Sequence, residues 1–366
     1  MKLETNRKST APKSERQNRR LLSYLSDRSF GKIDPNLISN KIEISDIKYE
    51  NYQIRGLKAK KDLKSGEVLC ALSIDDICIT AKNVLKCKII QKILYSGIIF
   101  EELIDDEDIL EKMRVKNDNS KVSAERIPIL NFEHLYYIFL IAQKRLRHSP
   151  YKNFILSLPD YDDFKDLPSF WNLDYIDLLP FEERQSLTAE HSRLQILYKI
   201  ITKVCEIVVP STMSNIHFRD DFLWAYSILR TRSFVNIFDT NLTMTNELID
   251  PKKFTNHHRQ QVKLNHYTIN MMLVPFIDMV NHSNTKFNAD VNQNHENKFE
   301  LFLTENVKEG QEILINYNPE STSEILTTYA HRSQRKNYRM YSKLDHNFDQ
   351  IFYAFFNMTL ISVSIF

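Results

Sequence analysis

Residues 272–284 read MLVPFIDMVNHSN, an apolar run that carries one acid, Asp278, and then stops at Asn281-His282-Ser283. A carboxylate inside such a run must be paired or hydrogen-bonded, because burying it bare costs several kcal/mol. Taken alone, an Asn-His pair after a strand is an ordinary polar turn. The alternative is a site built where a core strand stops. The flanking segments decide between them.

Upstream, RDDFLWAYSILRTRSF (219–234) has the apolar spacing of a helix. An acidic cap at Asp220 or Asp221 should start it, and it should run to about Ser233. Arg230 and Arg232 fall in its last turn, where cations suit the helix dipole. Downstream, FELFLTENVKEGQEILINY (299–317) alternates apolar and polar residues on both sides of Lys308-Glu309-Gly310. It reads as a hairpin. An early stretch, YQIRGLKAKKDLKSGEVLCALSIDDICIT (52–80), has the same form around Lys64-Ser65-Gly66-Glu67 and also reads as a hairpin. The echo is too short to be a repeat.

Between these β-rich ends lies a helical middle. Residues 132–151 and 184–208 are amphipathic at helical period, and Pro159, Pro168 and Pro180 break the chain between them. Residues 236–270 are polar and read as a loop with a hairpin. The order is β, long α insert, helix, β.

Bulk properties narrow the function. The chain has 366 residues, 42% hydrophobic, with a net charge of +2. That balance argues against a general nucleic-acid or membrane-surface binder. The four cysteines form no C-x-x-C pair, so neither a zinc framework nor a disulfide scaffold is expected. His257, His258, His266, His282 and His295 match no zinc spacing, so no metal is expected. Five glycines cannot supply a glycine-rich nucleotide loop. Residues 1–29 are polar and basic, lack the apolar core of a secretory signal, and read as a disordered tail or a basic patch for nuclear entry.

Four segments taken in order carry a resemblance. WAYSILRTRSF, VPFIDMVNHSN, EGQEILINY and SEILTTYA together resemble the SET-domain protein methyltransferases. The subgroup is the one with a long helical insert, typified by the Rubisco large-subunit lysine methyltransferase and the actin histidine methyltransferase. RGLKAKKDLKSGEVLCAL is similar to that family's first strand pair, and YKNFILSLPDYDDFKDLPSFWN (151–172) to its insert.

The resemblance implies an α+β SET fold with a knot-like crossing, a long helical insertion and a truncated helical C-terminal region. The implied organisation is a basic disordered tail (1–45), a SET domain (46–335) with its insert at 84–215, and a remnant of a substrate-binding domain (336–366). The implied cofactor is S-adenosylmethionine. Gln53, Arg55 and Gly56 occupy the early cofactor loop, with Ile54 between them. Arg232 matches the cofactor-contacting arginine. Asp278, Asn281 and His282 sit at the crossing, with Asn281 expected on the methionine moiety and the His282 backbone on the adenine. Ser321 and Glu324 are further cofactor candidates. Tyr317 and Tyr329 match the catalytic aromatics that wall the target's channel.

The chemistry fits these residue types. Methyl transfer from a sulfonium is an in-line displacement whose rate depends on positioning. Aromatic faces suit the cation, and hydroxyl and carbonyl oxygens suit the polarised methyl. Burial would keep an acceptor lysine neutral. The expected partner is a non-histone protein presenting a lysine, with no direct nucleic acid or membrane contact. A monomer in the cytoplasm or nucleus is expected. Histidine methylation and a catalytically inactive SET fold serving as an interaction module stay open. Three departures bear on this: Ile54 where a glycine is usual, Asn318 and Ala330 after the two tyrosines, and the short apolar end IFYAFFNMTLISVSIF (351–366). Asp278 is read as ordering the loop around Asn281.

Overall fold

The computed structural model describes residues 12–27, 40–49, 53–95, 130–165, 167–208, 218–235, 262–263 and 271–317. The alternation Lys-Phe-Glu-Leu-Phe-Leu buries Phe299, Leu301 and Leu303 on one face of a strand, as period two requires. In chain order the strands are β1 (Ile42–Lys48), β2 (Gln53–Ala59), β3 (Val68–Ser73), β4 (Leu130–Asn131), β5 (Ser233–Val235), β6 (Val262–Lys263), β7 (Met271–Leu273), β8 (Asn281–His282), β9 (Ala289–Gln293), β10 (Lys298–Leu303) and β11 (Glu312–Ile315). Among the described residues they form a four-stranded sheet, β1-β2-β11-β8, a three-stranded sheet, β3-β10-β9, and two small pairs, β4-β6 and β5-β7. Among the described residues, only β8–β11 and β4–β6 pair in parallel.

The two expected hairpins do not form. β2 and β3 lie in different sheets, and so do β10 and β11. The two segments pair with each other instead, β2 with β11 and β3 with β10. Their connections meet as an antiparallel bridge at Leu63 and Val307, which exchange hydrogen bonds of 2.8 and 3.0 Å. The contacts around this bridge are nearly two-fold symmetric. Gly66 N–H donates to the Leu303 carbonyl and Gly310 N–H to the Ala59 carbonyl, each at 2.8 Å. Asn306 Oδ1 accepts from Ser65 N–H at 2.9 Å and Asp62 Oδ1 from Glu309 N–H at 3.0 Å. Both glycines have positive φ, 83° and 76°, which only glycine adopts without cost. The sequence echo is therefore two matching corners, each handing the chain from one sheet to the other.

The helices are α1 (Lys13–Ser26), α2 (Ala81–Lys86), α3 (Lys88–Leu94), α4 (Phe132–Arg145), α5 (Lys152–Ile155), α6 (Leu173–Ile176), α7 (Phe181–Val208) and α8 (Phe218–Arg232). α4 is buried on every side from Phe132 to Gln143 and is the axis of the insert. α8 packs on it through Tyr137–Phe222 and Tyr137–Tyr226 ring contacts, with centroids 6.1 and 6.0 Å apart. The polar residues this buries are paired: Tyr137 donates to Glu133, and Arg193 reaches Glu133 at 3.0 Å. Asp220 and Asp221 lie in the first turn of α8 rather than capping it. Asp221 instead holds Lys144 and Arg145, each at 2.8 Å, at the end of α4. Trp224 is packing, as its apolar bulk suggests: it is buried, with Nε1–H on the Pro159 carbonyl at 2.9 Å. No helix among the described residues is long and apolar enough to cross a membrane.

The basic tail is a correction. It is helical over Lys13–Ser26 and buries Gln17, Leu21, Tyr24 and Leu25. Those positions follow an i, i+4, i+7, i+8 stripe, which composition averages away. α1 stitches the insert to the sheets. Gln17 Nε2 donates to the Leu158 carbonyl at 2.8 Å and Tyr24 Oη to the Ile77 carbonyl at 2.8 Å. Ser14 Oγ reaches Asp46 of β1 at 3.0 Å.

Candidate active site

After β7 the chain stays in the core and turns sharply at Phe276, a buried residue with φ 76° and ψ −50°. That conformation costs a non-glycine residue about 1–3 kcal/mol and persists only where surrounding packing imposes it. The turn swings Asp278 inward and delivers Asn281 and His282 as β8, beside Leu314 and Ile315 of β11.

Asp278 meets Arg232 at the end of α8. Arg232 Nη1 donates to the Asp278 carboxylate and to its backbone carbonyl, both at 3.0 Å. The Asp278 side chain is 1% exposed. Burial pushes its carboxyl up from the ordinary value, and Arg232 opposes that rise. Asp278 Oδ1 and Arg232 Nε are buried without a hydrogen-bond partner among the described residues. Arg55 of β2 adds a second cation to this neighbourhood. Burial, then repulsion from Arg232, lowers its guanidinium to about 10. Arg55 donates to the Ser157 carbonyl at 2.9 Å and to Asn18 Oδ1 of α1 at 3.3 Å. Both guanidinium groups thus act on the Asp278 carboxylate, Arg232 in direct contact and Arg55 at longer range.

Asn281 itself is held by groups other than Asp278. Asn281 Nδ2 donates to the Arg55 carbonyl at 3.2 Å and to Glu312 Oε1 at 2.8 Å. Glu312 also accepts from Tyr49 Oη, at 2.9 Å to its nearer oxygen. Gly56 makes the approach possible. A Cβ there would lie 2.5 Å from Asn281 Nδ2, 2.9 Å from Ile47 Cγ1 and 3.1 Å from Glu312 Oε1.

Tyr317 closes the other side of β8. Its hydroxyl donates to the Val280 carbonyl at 2.7 Å, and its backbone N–H donates to His282 Nδ1 at 3.0 Å. The two rings stand 4.9 Å apart, centroid to centroid. An Nδ1 that accepts carries a lone pair, which leaves Nε2 as the protonated nitrogen of the neutral ring.

Arg55, Gly56, Arg232, Asp278, Asn281, His282 and Tyr317 thus converge where β2, β8, β11 and the end of α8 meet. Gln53 and Ile54 lie on β2 beside them, and both are exposed. Tyr329, Ser321, Glu324, Asn318, Ala330 and the segment 336–366 lie outside the described residues. Sequence reading missed Glu312 and Tyr49. Glu312 stands inside EGQEILINY, but an acid at an alternating strand position reads as solvent-facing, and nothing local marks its partner.

Residues 54–318 match the family model of the SET domain. Curated protein sequences include no significant match. Among solved structures, Rubisco LSMT bound to AdoMet is similar, with TM-score 0.53 and 18% identity over 89% of this chain and 58% of that one. The SET domain of LSMT bound to lysine and AdoHcy gives TM-score 0.53 and 17% identity over 88% of this chain and 58% of that one. Rubisco LSMT bound to sinefungin and monomethyllysine gives TM-score 0.53 and 17% identity over 88% and 57%. The chain therefore spans less than two thirds of the length of these structures.

Proposed function

Because the chain belongs to the SET-domain family, we propose that it transfers a methyl group from S-adenosylmethionine to a protein side chain, with lysine Nε as the acceptor. The observation that carries this reading is the convergence at β8. An asparagine amide, the Arg232–Asp278 ion pair and a tyrosine hydroxyl meet at this short strand, with Arg55 nearby.

The donor set suits the zwitterionic end of such a cofactor. Arg232 Nε is buried without an acceptor among the described residues, and a carboxylate is its natural partner. Asn281 commits both amide hydrogens to acceptors, so its Oδ1 is left to receive a donor such as an ammonium. When bound, the cofactor supplies an electrophilic methyl on a sulfonium. Tyr317 supplies an oxygen and an aromatic face. Its hydroxyl, which donates to the Val280 carbonyl, is the oxygen that would make C–H···O contact with a polarised methyl. Burial of the acceptor amine beside Tyr317 would disfavour its charged form, which favours the neutral nucleophile. The neighbours bound to AdoMet, to lysine and to monomethyllysine support the same reading.

Calorimetric titration with S-adenosylmethionine, wild type beside Asn281→Ala, tests it. The expected result is micromolar binding by wild type and much weaker binding by a folded variant. Radiolabelled-methyl transfer to cell-extract proteins, reduced by tenfold or more in Tyr317→Phe, then establishes the reaction. A folded wild type that does not bind the cofactor overturns the proposal and leaves a non-catalytic SET fold.

A further inference from the structure

Asn281 is the residue on which this inference turns, and it rests on the cofactor reading above. A side-chain amide is two-faced, with a donor NH2 on one side and an acceptor oxygen on the other. Rotation by half a turn exchanges them at almost no steric cost. An Asn can therefore serve a cationic ligand group only if something outside the ligand holds its orientation.

Two acceptors do so here. The Arg55 carbonyl and the Glu312 carboxylate receive the two Nδ2 hydrogens at 3.2 and 2.8 Å. Neither can donate, so neither tolerates the flipped amide. Among the described residues nothing donates to Asn281 Oδ1. Glu312 is itself anchored. Tyr49, just past the end of β1, donates its hydroxyl to the same carboxylate at 2.9 and 3.1 Å. Glu312 sits on β11 opposite Lys58 of β2, in the sheet that carries Asn281. The carboxylate also lies behind the amide, where its oxygen polarises the amide dipole toward a cation.

We infer that Glu312, braced by Tyr49, is a positioning residue that locks Asn281 with Oδ1 presented to the α-ammonium of the cofactor's methionine end. Glu312 itself touches no reacting atom. Glu312→Gln keeps the size but can offer an NH2 to Asn281, so one of the two acceptors that oppose the flipped amide is lost and only the Arg55 carbonyl still holds the orientation. Tyr49→Phe leaves the carboxylate in place and only loosens it.

The test separates positioning from general support with two ligands. S-adenosylhomocysteine carries the amino-acid end. 5′-Methylthioadenosine has the same nucleoside and thioether without it. Dissociation constants for both are measured on wild type, Glu312→Gln, Tyr49→Phe, Asn281→Ala and Asn281→Ala/Glu312→Gln. Glu312→Gln should weaken S-adenosylhomocysteine by about tenfold, the worth of one charge-assisted hydrogen bond. It should leave 5′-methylthioadenosine within about twofold, inside the scatter of a neutral substitution. Tyr49→Phe should do the same to a smaller degree and serves if Glu312→Gln does not fold. In the Asn281→Ala background Glu312→Gln should add nothing, because the group it positions is gone. Equal weakening of both ligands, no weakening of either, or additive losses in the double variant would each overturn the inference while the cofactor reading stands. If wild type binds neither ligand, the cofactor reading itself fails.

Discussion

A methyl group added at position 56 would land 2.5 Å from Asn281 Nδ2 and 2.9 Å from Ile47 Cγ1. Gly56 has no left-handed φ, so Gly56→Ala imposes no backbone strain and its effect is steric. Ile47 is buried and cannot retreat far, so Asn281 must move. Moving it breaks the bonds to Glu312 and to the Arg55 carbonyl. A bond to a charged acceptor is worth about 1.5–3 kcal/mol and a neutral one about 1 kcal/mol. Their loss sets the perturbation at about 3 kcal/mol, or roughly a hundredfold weaker cofactor binding. Calorimetric titration with S-adenosylmethionine measures the affinity, and thermal melting measures the fold. Without the clash the sign reverses, because a strain-free Gly→Ala stabilises by about 0.4–1 kcal/mol through the unfolded chain. A Gly56→Ala protein that binds at wild-type strength, or melts higher, refutes the reasoning.

Three further outcomes follow from other contacts. Arg232→Ala strands the buried Asp278 carboxylate and should cost about 3–5 kcal/mol of stability. Asp278 already binds its proton more tightly folded than unfolded. Its contribution is therefore greatest below the unfolded value and is lost as pH rises through the raised folded value. Removing Arg232 raises that value further, so urea melts of the variant should show a deficit that grows with pH; a pH-independent deficit contradicts the pairing. Tyr317→Phe loses its bond to the Val280 carbonyl. Single-turnover methyl transfer should fall by tenfold or more while S-adenosylmethionine binds within about threefold of wild type, since positioning at the methyl is a transition-state effect; an equal loss in both counts against a catalytic role. Leu21→Ala, in the helical stretch of the basic segment, should destabilise by about 2–4 kcal/mol because Leu21 is buried in the core. A change under about 0.5 kcal/mol would be surface behaviour and would contradict the docking of α1.

The sequence alone determined what is local. The 3.6-residue period of 132–151 and 219–234 located α4 and α8, though both elements end earlier than those stretches, at Arg145 and Arg232. The order of Arg232, Asp278, Asn281-His282 and Tyr317 singled out residues that the fold then brings together. Period two also identified the strands on both sides of Gly66 and Gly310. It could not say which strand pairs with which, because alternation encodes an apolar face and not a partner. Adjacent strands were therefore read as hairpins, whereas the chain changes sheet at both corners and pairs strands some 240 residues apart, as at Leu63 and Val307. The site's inner wiring is of the same kind. Asn281 bonds the Arg55 carbonyl across 226 positions, and Tyr49 bonds Glu312 across 263. Tertiary structure alone decided that Asp278 belongs to Arg232, that Glu312 belongs to Asn281, and that Gly56 is glycine because an amide fills the space its side chain would take. A hydrogen-bond partner is chosen by where the whole fold brings two strands together, and no local pattern of residue types carries that choice.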